Sequence, residues 1–210
     1  MSSLLLIRHG QASFGAADYD VLSARGIAQS RALGRHLAAG GARIDAVYTG
    51  PRRRHLDTAR HLREAAGEAG APLPEPIEIA ELDELPALDL LRRSVGERAD
   101  PRAVIRAWAG GELEAGELES FAEFTARVAR GLDGIMRGEG RGRRVLVVTS
   151  GGPIAVAVRG CLELGAAPTL RIAVALANAS TTEIKWRGAE TTLFGYNHVH
   201  YLPRELLTYL

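Results

Sequence analysis

The chain has one cysteine, Cys161, which excludes an internal disulfide and any multi-cysteine metal site. That residue lies in the apolar run from Pro153 to Leu164 and reads as a buried packing position. Lysine is equally scarce, Lys185 being the only one, so an anion site here is expected to use planar guanidinium forks rather than ammonium groups. Excess charge of one sign is also missing. Twenty-six basic residues against 25 acidic ones leave a formal charge of +1, which provides no global field for nucleic acid or anionic lipid, and neither partner is expected. The opening apolar run, Leu4 to Ile7, is too short for a signal peptide or a membrane span, so the expected location is cytoplasmic.

What is present is an alternation of strand and helix patterns. Ser3 to Ile7 reads as a buried strand that stops at Arg8-His9-Gly10. Ser23 has the place of an N-cap before Ile27, Leu33 and Leu37 at helical spacing, and Gly40-Gly41 ends that helix. Ile44 to Tyr48 reads as a second strand, Thr49-Gly50-Pro51 as a turn and Arg53 to Ala66 as a helix, followed by a third β-like run at Ile77 to Ile79. From Leu88 to Gly116 short helical patterns are broken by Gly and Pro without a strand signal, which marks an excursion of the lid or cap kind. Phe121 to Met136 has an amphipathic helical face, Val145 to Val148 is the most apolar strand, and Thr149-Ser150-Gly151-Gly152-Pro153 turns into a further helix. Thr181 to Lys185 and Thr191 to Tyr196 read as a hairpin around Arg187-Gly188.

These elements predict an α/β three-layer sandwich with a mainly parallel sheet, helices on both faces and a C-terminal hairpin, in one unit over 1–210. Ligands of such sheets bind at the carboxyl edge of the strands. Arg8-His9, the Thr49 turn and Thr149-Ser150 all lie at such ends. Phosphoryl transfer through a protein nucleophile needs the nucleophile, cationic donors for the non-bridging oxygens and an acid for the leaving oxygen. Arg8-His9-Gly10 can supply the first two, since a histidine after a buried strand is held rigidly and Gly10 lets a substrate approach the backbone.

The string Leu5-Leu6-Ile7-Arg8-His9-Gly10-Gln11-Ala12, followed by Leu22-Ser23-Ala24-Arg25-Gly26-Ile27-Ala28-Gln29, resembles the opening of the histidine phosphatase superfamily, which includes the cofactor-dependent phosphoglycerate mutases. The resemblance continues at Arg54-His55-Leu56-Asp57-Thr58-Ala59, where the family has Arg-x-x-x-Thr-Ala. It implies His9 as the phosphorylated nucleophile, Arg8 and Arg54 as phosphate-binding groups, and Glu84 as the acid. Arg52 and Arg53 compete with Arg54 for its role, and Glu81 and Asp83 compete with Glu84. Glu119-Ser120 and Arg127 match a further pattern at the start of the family's long helix, where capping and surface charge are a sufficient reason for them.

The departure is at residue 150. The family ends this strand with a second histidine, whereas this chain reads Val148-Thr149-Ser150-Gly151-Gly152. The Ser150 hydroxyl and the amides of Gly151 and Gly152 remain as donors to phosphate, but a potential cation is gone, and restoring a histidine at 150 is expected to raise turnover. The mutases also carry an asparagine where this chain has Phe14-Gly15. His198 and His200 resemble a metal-ligand spacing but have no adjacent carboxylate, and read as surface or rim residues. His36 and His61 read as structural, and no spacing argument places His55.

The expected activity is a phosphomonoesterase acting on a small phosphate ester or a phosphorylated peptide, with no metal and no organic cofactor. Three readings stand beside it. They are a mutase, a phosphate-binding module without efficient turnover, and a serine hydrolase on Ser150, which lacks the Gly-x-Ser-x-Gly elbow because residue 148 is Val.

Overall fold

A computed structural model of the chain describes residues 1–13, 20–41, 43–94, 100–113 and 116–209. Phe14-Gly15 and parts of the 88–116 excursion lie outside the described residues. The strands are β1 (Ser2–Arg8), β2 (Ala46–Thr49), β3 (Pro76–Glu78), β4 (Arg144–Thr149), β5 (Thr181–Arg187) and β6 (Glu190–His198). The helices are α1 (Ala24–Ala39), α2 (Arg53–Glu68), α3 (Ala87–Arg93), α4 (Pro101–Gly110), α5 (Phe121–Glu139), α6 (Gly151–Leu162) and α7 (Ala166–Ala175).

The strands form one sheet in the order β3-β2-β4-β1-β5-β6. β1, β2, β3 and β4 pair in parallel, while β5 runs antiparallel to both β1 and β6. Alternation along the strands divides the core, because successive side chains point to opposite faces. Leu5, Ile7, Leu146 and Val148 pack against Leu33 of α1 and Ala59 and Leu62 of α2. Leu4, Leu6, Val145 and Val147 pack on the other face with Phe124, Val128 and Leu132 of α5 and Ile154 of α6. The expected three-layer α/β architecture with its C-terminal hairpin is therefore the observed one.

Helix ends follow local chemistry. Ser23 caps α1 by accepting from the Gly26 amide, and Ser120 and Glu123 form a reciprocal capping box at α5. α7 carried no sequence signal, since Gly165 at its start offers no side-chain cap. In the excursion, Leu90 of α3 and Val104 and Trp108 of α4 enter the core, where Trp108 meets Phe121 edge to face with ring centroids 5.4 Å apart. Cys161 is half-buried rather than buried, and burial raises its thiol pKa. Among the described residues no helix is long and apolar enough to cross a membrane.

Candidate active site

The parallel pairing of β1 with β4 runs through Arg8↔Thr149, so His9 and Ser150, the next residues on each strand, emerge side by side at the carboxyl edge. The His9 amide donates to the Thr149 carbonyl at 2.9 Å, and its carbonyl accepts from the Ala179 amide at 3.1 Å. Gly10 lies so close to the Gly26 carbonyl of α1 that any Cβ there would collide with it, and its amide donates to Thr58 Oγ1 at 3.0 Å. The backbone around His9 is thus gripped from β4, α1, α2 and the loop before β5.

The His9 side chain is 5% exposed, and its Nδ1 lies 2.7 Å from the Gly10 carbonyl. A carbonyl only accepts, so Nδ1 carries the proton and Nε2 keeps its lone pair. Burial, reinforced by Arg54, His55 and Arg8, holds the His9 pKa well below the usual imidazole value. A rigid neutral imidazole with a bare Nε2 can attack phosphorus.

Arg54 is 6% exposed on the first turn of α2; its Nη1 pairs with Asp20 Oδ1 at 2.6 Å and its Nη2 donates to Ser150 Oγ at 3.3 Å. Its neighbours do not share that position: Arg53 is exposed, and Arg52 pairs with Asp83. Arg8 is anchored through Nη1, which donates to the carbonyls of Leu176 and Tyr209.

Glu84 follows the short 3-10 turn Ala80–Leu82, which is strapped to the sheet edge. Thr149 Oγ1 donates to the Leu82 carbonyl at 2.7 Å, and Arg127, paired with Glu119, donates from Nη1 to the carbonyls of Glu81 and Asp83. Asp83 is occupied with Arg52 and the Glu84 amide, and Glu81 is exposed. Glu84 Oε1 accepts from the Leu85 amide at 2.9 Å and the Gly152 amide at 3.2 Å, which brings it to the start of α6. The Gly152 amide is therefore committed to Glu84, and Gly151 occupies the first helical position beside Ser150.

His55 was the residue that spacing did not place. It is fully buried, its Nε2 lies 2.7 Å from Ser150 Oγ, and its ring centroid is 5.7 Å from that of His9. Burial first, then Arg54 and Arg52, lower its pKa well below the usual value. Adjacency to Arg54 on a helix start was the only signal for it in the sequence. Asp20 had none, its approach to Arg54 being purely tertiary. His198 and His200 are exposed, and among the described residues no group of three or more His, Cys, Asp or Glu is arranged to hold a metal.

A mainly parallel sheet whose carboxyl edge gathers a buried imidazole, an arginine and a carboxyl group defines an α/β protein built to handle an anionic group. The chain belongs to the histidine phosphatase superfamily (branch 1), whose sequence profile matches residues 4–199. It is an enzyme of the phosphatase and phosphoglycerate mutase type. No curated protein matches the chain significantly. Among solved structures it is similar to a mutant phosphoserine phosphatase from Entamoeba histolytica in complex with phosphoserine, with 22% identity over 97% of this chain and 100% of that one and a TM-score of 0.72. A phosphoglycerate mutase from Bacillus anthracis has 19% identity over 95% and 94% of the two chains with a TM-score of 0.72. A mycobacterial glucosyl-3-phosphoglycerate phosphatase has 24% identity over 93% and 98% with a TM-score of 0.65.

Proposed function

We propose that the protein is a metal-independent phosphomonoesterase working through a phosphohistidine on His9. The observation that carries this reading is the Nδ1 bond of His9 to the Gly10 carbonyl, which leaves a neutral, buried Nε2 as the attacking atom. In the first step Nε2 bonds to phosphorus as the ester P–O bond breaks, and Glu84, in its acid form, delivers a proton to the leaving oxygen. Two amides engage Oε1 of Glu84, so Oε2 is assigned the proton. In the second step water attacks the phosphohistidine, Glu84 takes its proton, the P–N bond breaks and inorganic phosphate leaves with His9 neutral again. Arg8, Arg54, the Ser150 hydroxyl and the Gly151 amide are assigned to the non-bridging oxygens, where preformed donors act on developing charge.

We assign the substrate to small phosphate esters or phosphorylated peptides, and the 88–116 segment, whose α3 begins three residues after Glu84, to a cap that selects among them within a unit spanning 1–210. A mutase would hand the same phosphoryl group to a second hydroxyl, as the similarity to a phosphoglycerate mutase allows. The test is a panel of phosphorylated metabolites and phosphopeptides in EDTA, with inorganic phosphate as the readout and rapid quenching to trap an acid-labile phosphoenzyme. Phosphate release with label on His9 is expected. Label on another residue, or transfer between hydroxyls without phosphate release, defeats the reading.

A further inference from the structure

Ser150 and His55 are both completely buried, so their contact is part of the interior rather than a chance meeting at the surface. Ser150 Oγ has two neighbours able to donate to it, Arg54 Nη2 at 3.3 Å and His55 Nε2 at 2.7 Å. A hydroxyl has two lone pairs and one hydrogen. If both neighbours donate, the lone pairs are filled and the hydrogen must point elsewhere. Arg54 can only donate. The proton of a neutral His55 has two possible seats, and Nδ1 is the poorer one. Nδ1 lies against the Gly50 backbone and is left without a hydrogen-bond partner among the described residues, whereas Nε2 faces Ser150 Oγ at 2.7 Å. The proton therefore belongs on Nε2, facing Ser150.

Resting on the phosphatase reading, we infer that His55 is a positioning residue for phosphoryl transfer: with Arg54 it saturates Ser150 Oγ, so that the serine's own hydrogen is directed to a non-bridging oxygen of the phosphate on its way to His9. The imidazole missing from the end of β4 is thereby supplied from α2, one residue after Arg54, and acts through a hydroxyl. The same packing revises the expectation for a restored histidine. With His55 Nε2 only 2.7 Å from Oγ of a fully buried serine, an imidazole at 150 has no room unless residue 55 gives it up.

The test uses the full chain, with p-nitrophenyl phosphate for turnover, inorganic phosphate titrated calorimetrically for affinity, and thermal melting to verify folding. Ser150→Ala and His55→Ala should each lower kcat by about 10²-fold, the scale for loss of one oriented donor. Their double variant should be no worse than either alone, because the two residues act as a unit. His55→Gln, whose amide can donate to Ser150, should regain most of the loss, and it carries the test if His55→Ala does not fold. Ser150→His alone should be slower than the wild type, while His55→Ala/Ser150→His should recover about tenfold over it.

Wild-type kcat in folded His55→Ala, additive losses in the double variant, or a Ser150→His protein faster than wild type would overturn the inference. If the wild type binds phosphate but hydrolyses no ester, the phosphatase reading fails by itself. The inference is then read from phosphate affinity, which should weaken about tenfold in Ser150→Ala and His55→Ala but much less in His55→Gln; equal affinities would overturn it.

Discussion

The ends of β1 and β4 are neighbours in the sheet, level with each other at Arg8↔Thr149, yet they build their halves of the site differently. After β1, consecutive residues supply an arginine, an imidazole with a defined tautomer and a glycine packed against α1. After β4, one small hydroxyl stands at the edge, and the groups that give it character come from elsewhere, Arg54 and His55 from α2. Glu84 reaches the same end through the Gly152 amide. A local solution depends on its own short segment. A distributed one depends on the packing of α2 against the sheet, and its parts can be exchanged between elements as long as the same space is filled.

That contrast is tested most severely at the local half. His9→Ala should lower kcat by on the order of 10⁴-fold or more while circular dichroism shows the fold retained, because it removes the proposed nucleophile. A folded variant with substantial turnover would mean that the β1 end is not where the bond is made. At the distributed half, Arg54→Ala should cost about 10³-fold in kcat/KM, since it removes the guanidinium proposed to hold phosphate and also a partner of Ser150 and Asp20. Arg54→Lys should recover only part of this, a point charge being unable to serve both partners; full recovery would reduce Arg54 to charge alone.

Glu84→Gln should slow hydrolysis of an alkyl phosphate by about 10²-fold and p-nitrophenyl phosphate by less than about tenfold, because a good leaving group needs no proton. Equal losses on both substrates would remove Glu84 as the acid. A smaller effect concerns stability. Both His9 and His55 have folded pKa values below the ordinary 6.5, so below that pH the unfolded chain binds more protons than the folded one. The contribution of these two rings is fully present above about pH 6.5 and is lost as pH drops toward the folded values, by up to about 1.4 kcal/mol per pH unit for each ring. Urea midpoints between pH 7 and 5 should trace this fall, and His55→Gln should remove one proton from its slope. No effect is expected from EDTA on the rate; a loss reversed by one added divalent metal would replace the proposed chemistry.

How far the site could be read from the sequence follows the same division. The strand endings at residues 8–10 and 149–151, the Ser23 cap and the α5 face were legible because strand period, capping and helical spacing are local properties of a few consecutive residues. Arg54 could be chosen over Arg52 and Arg53 by register on Thr58-Ala59, and the structure separates the three by burial and by the Arg52 pairing with Asp83. Arg127 illustrates the limit. Its capping neighbourhood was visible, but its hold on the carbonyls of Glu81 and Asp83, 46 and 44 residues earlier, was not.

By itself the sequence determined the alternation of strands and helices, the two-faced core and the Arg-His-Gly strand end, because burial and backbone geometry impose periods that a chain must carry in order. Only the tertiary structure decided that Asp20 steadies Arg54, that the Gly152 amide serves Glu84, and that His55 fills the space left beside Ser150. The physical reason is that a hydrogen bond 2.7 Å long between residues 95 positions apart is set by how α2 docks on the sheet, and no local pattern encodes the distance at which two separate elements come to rest.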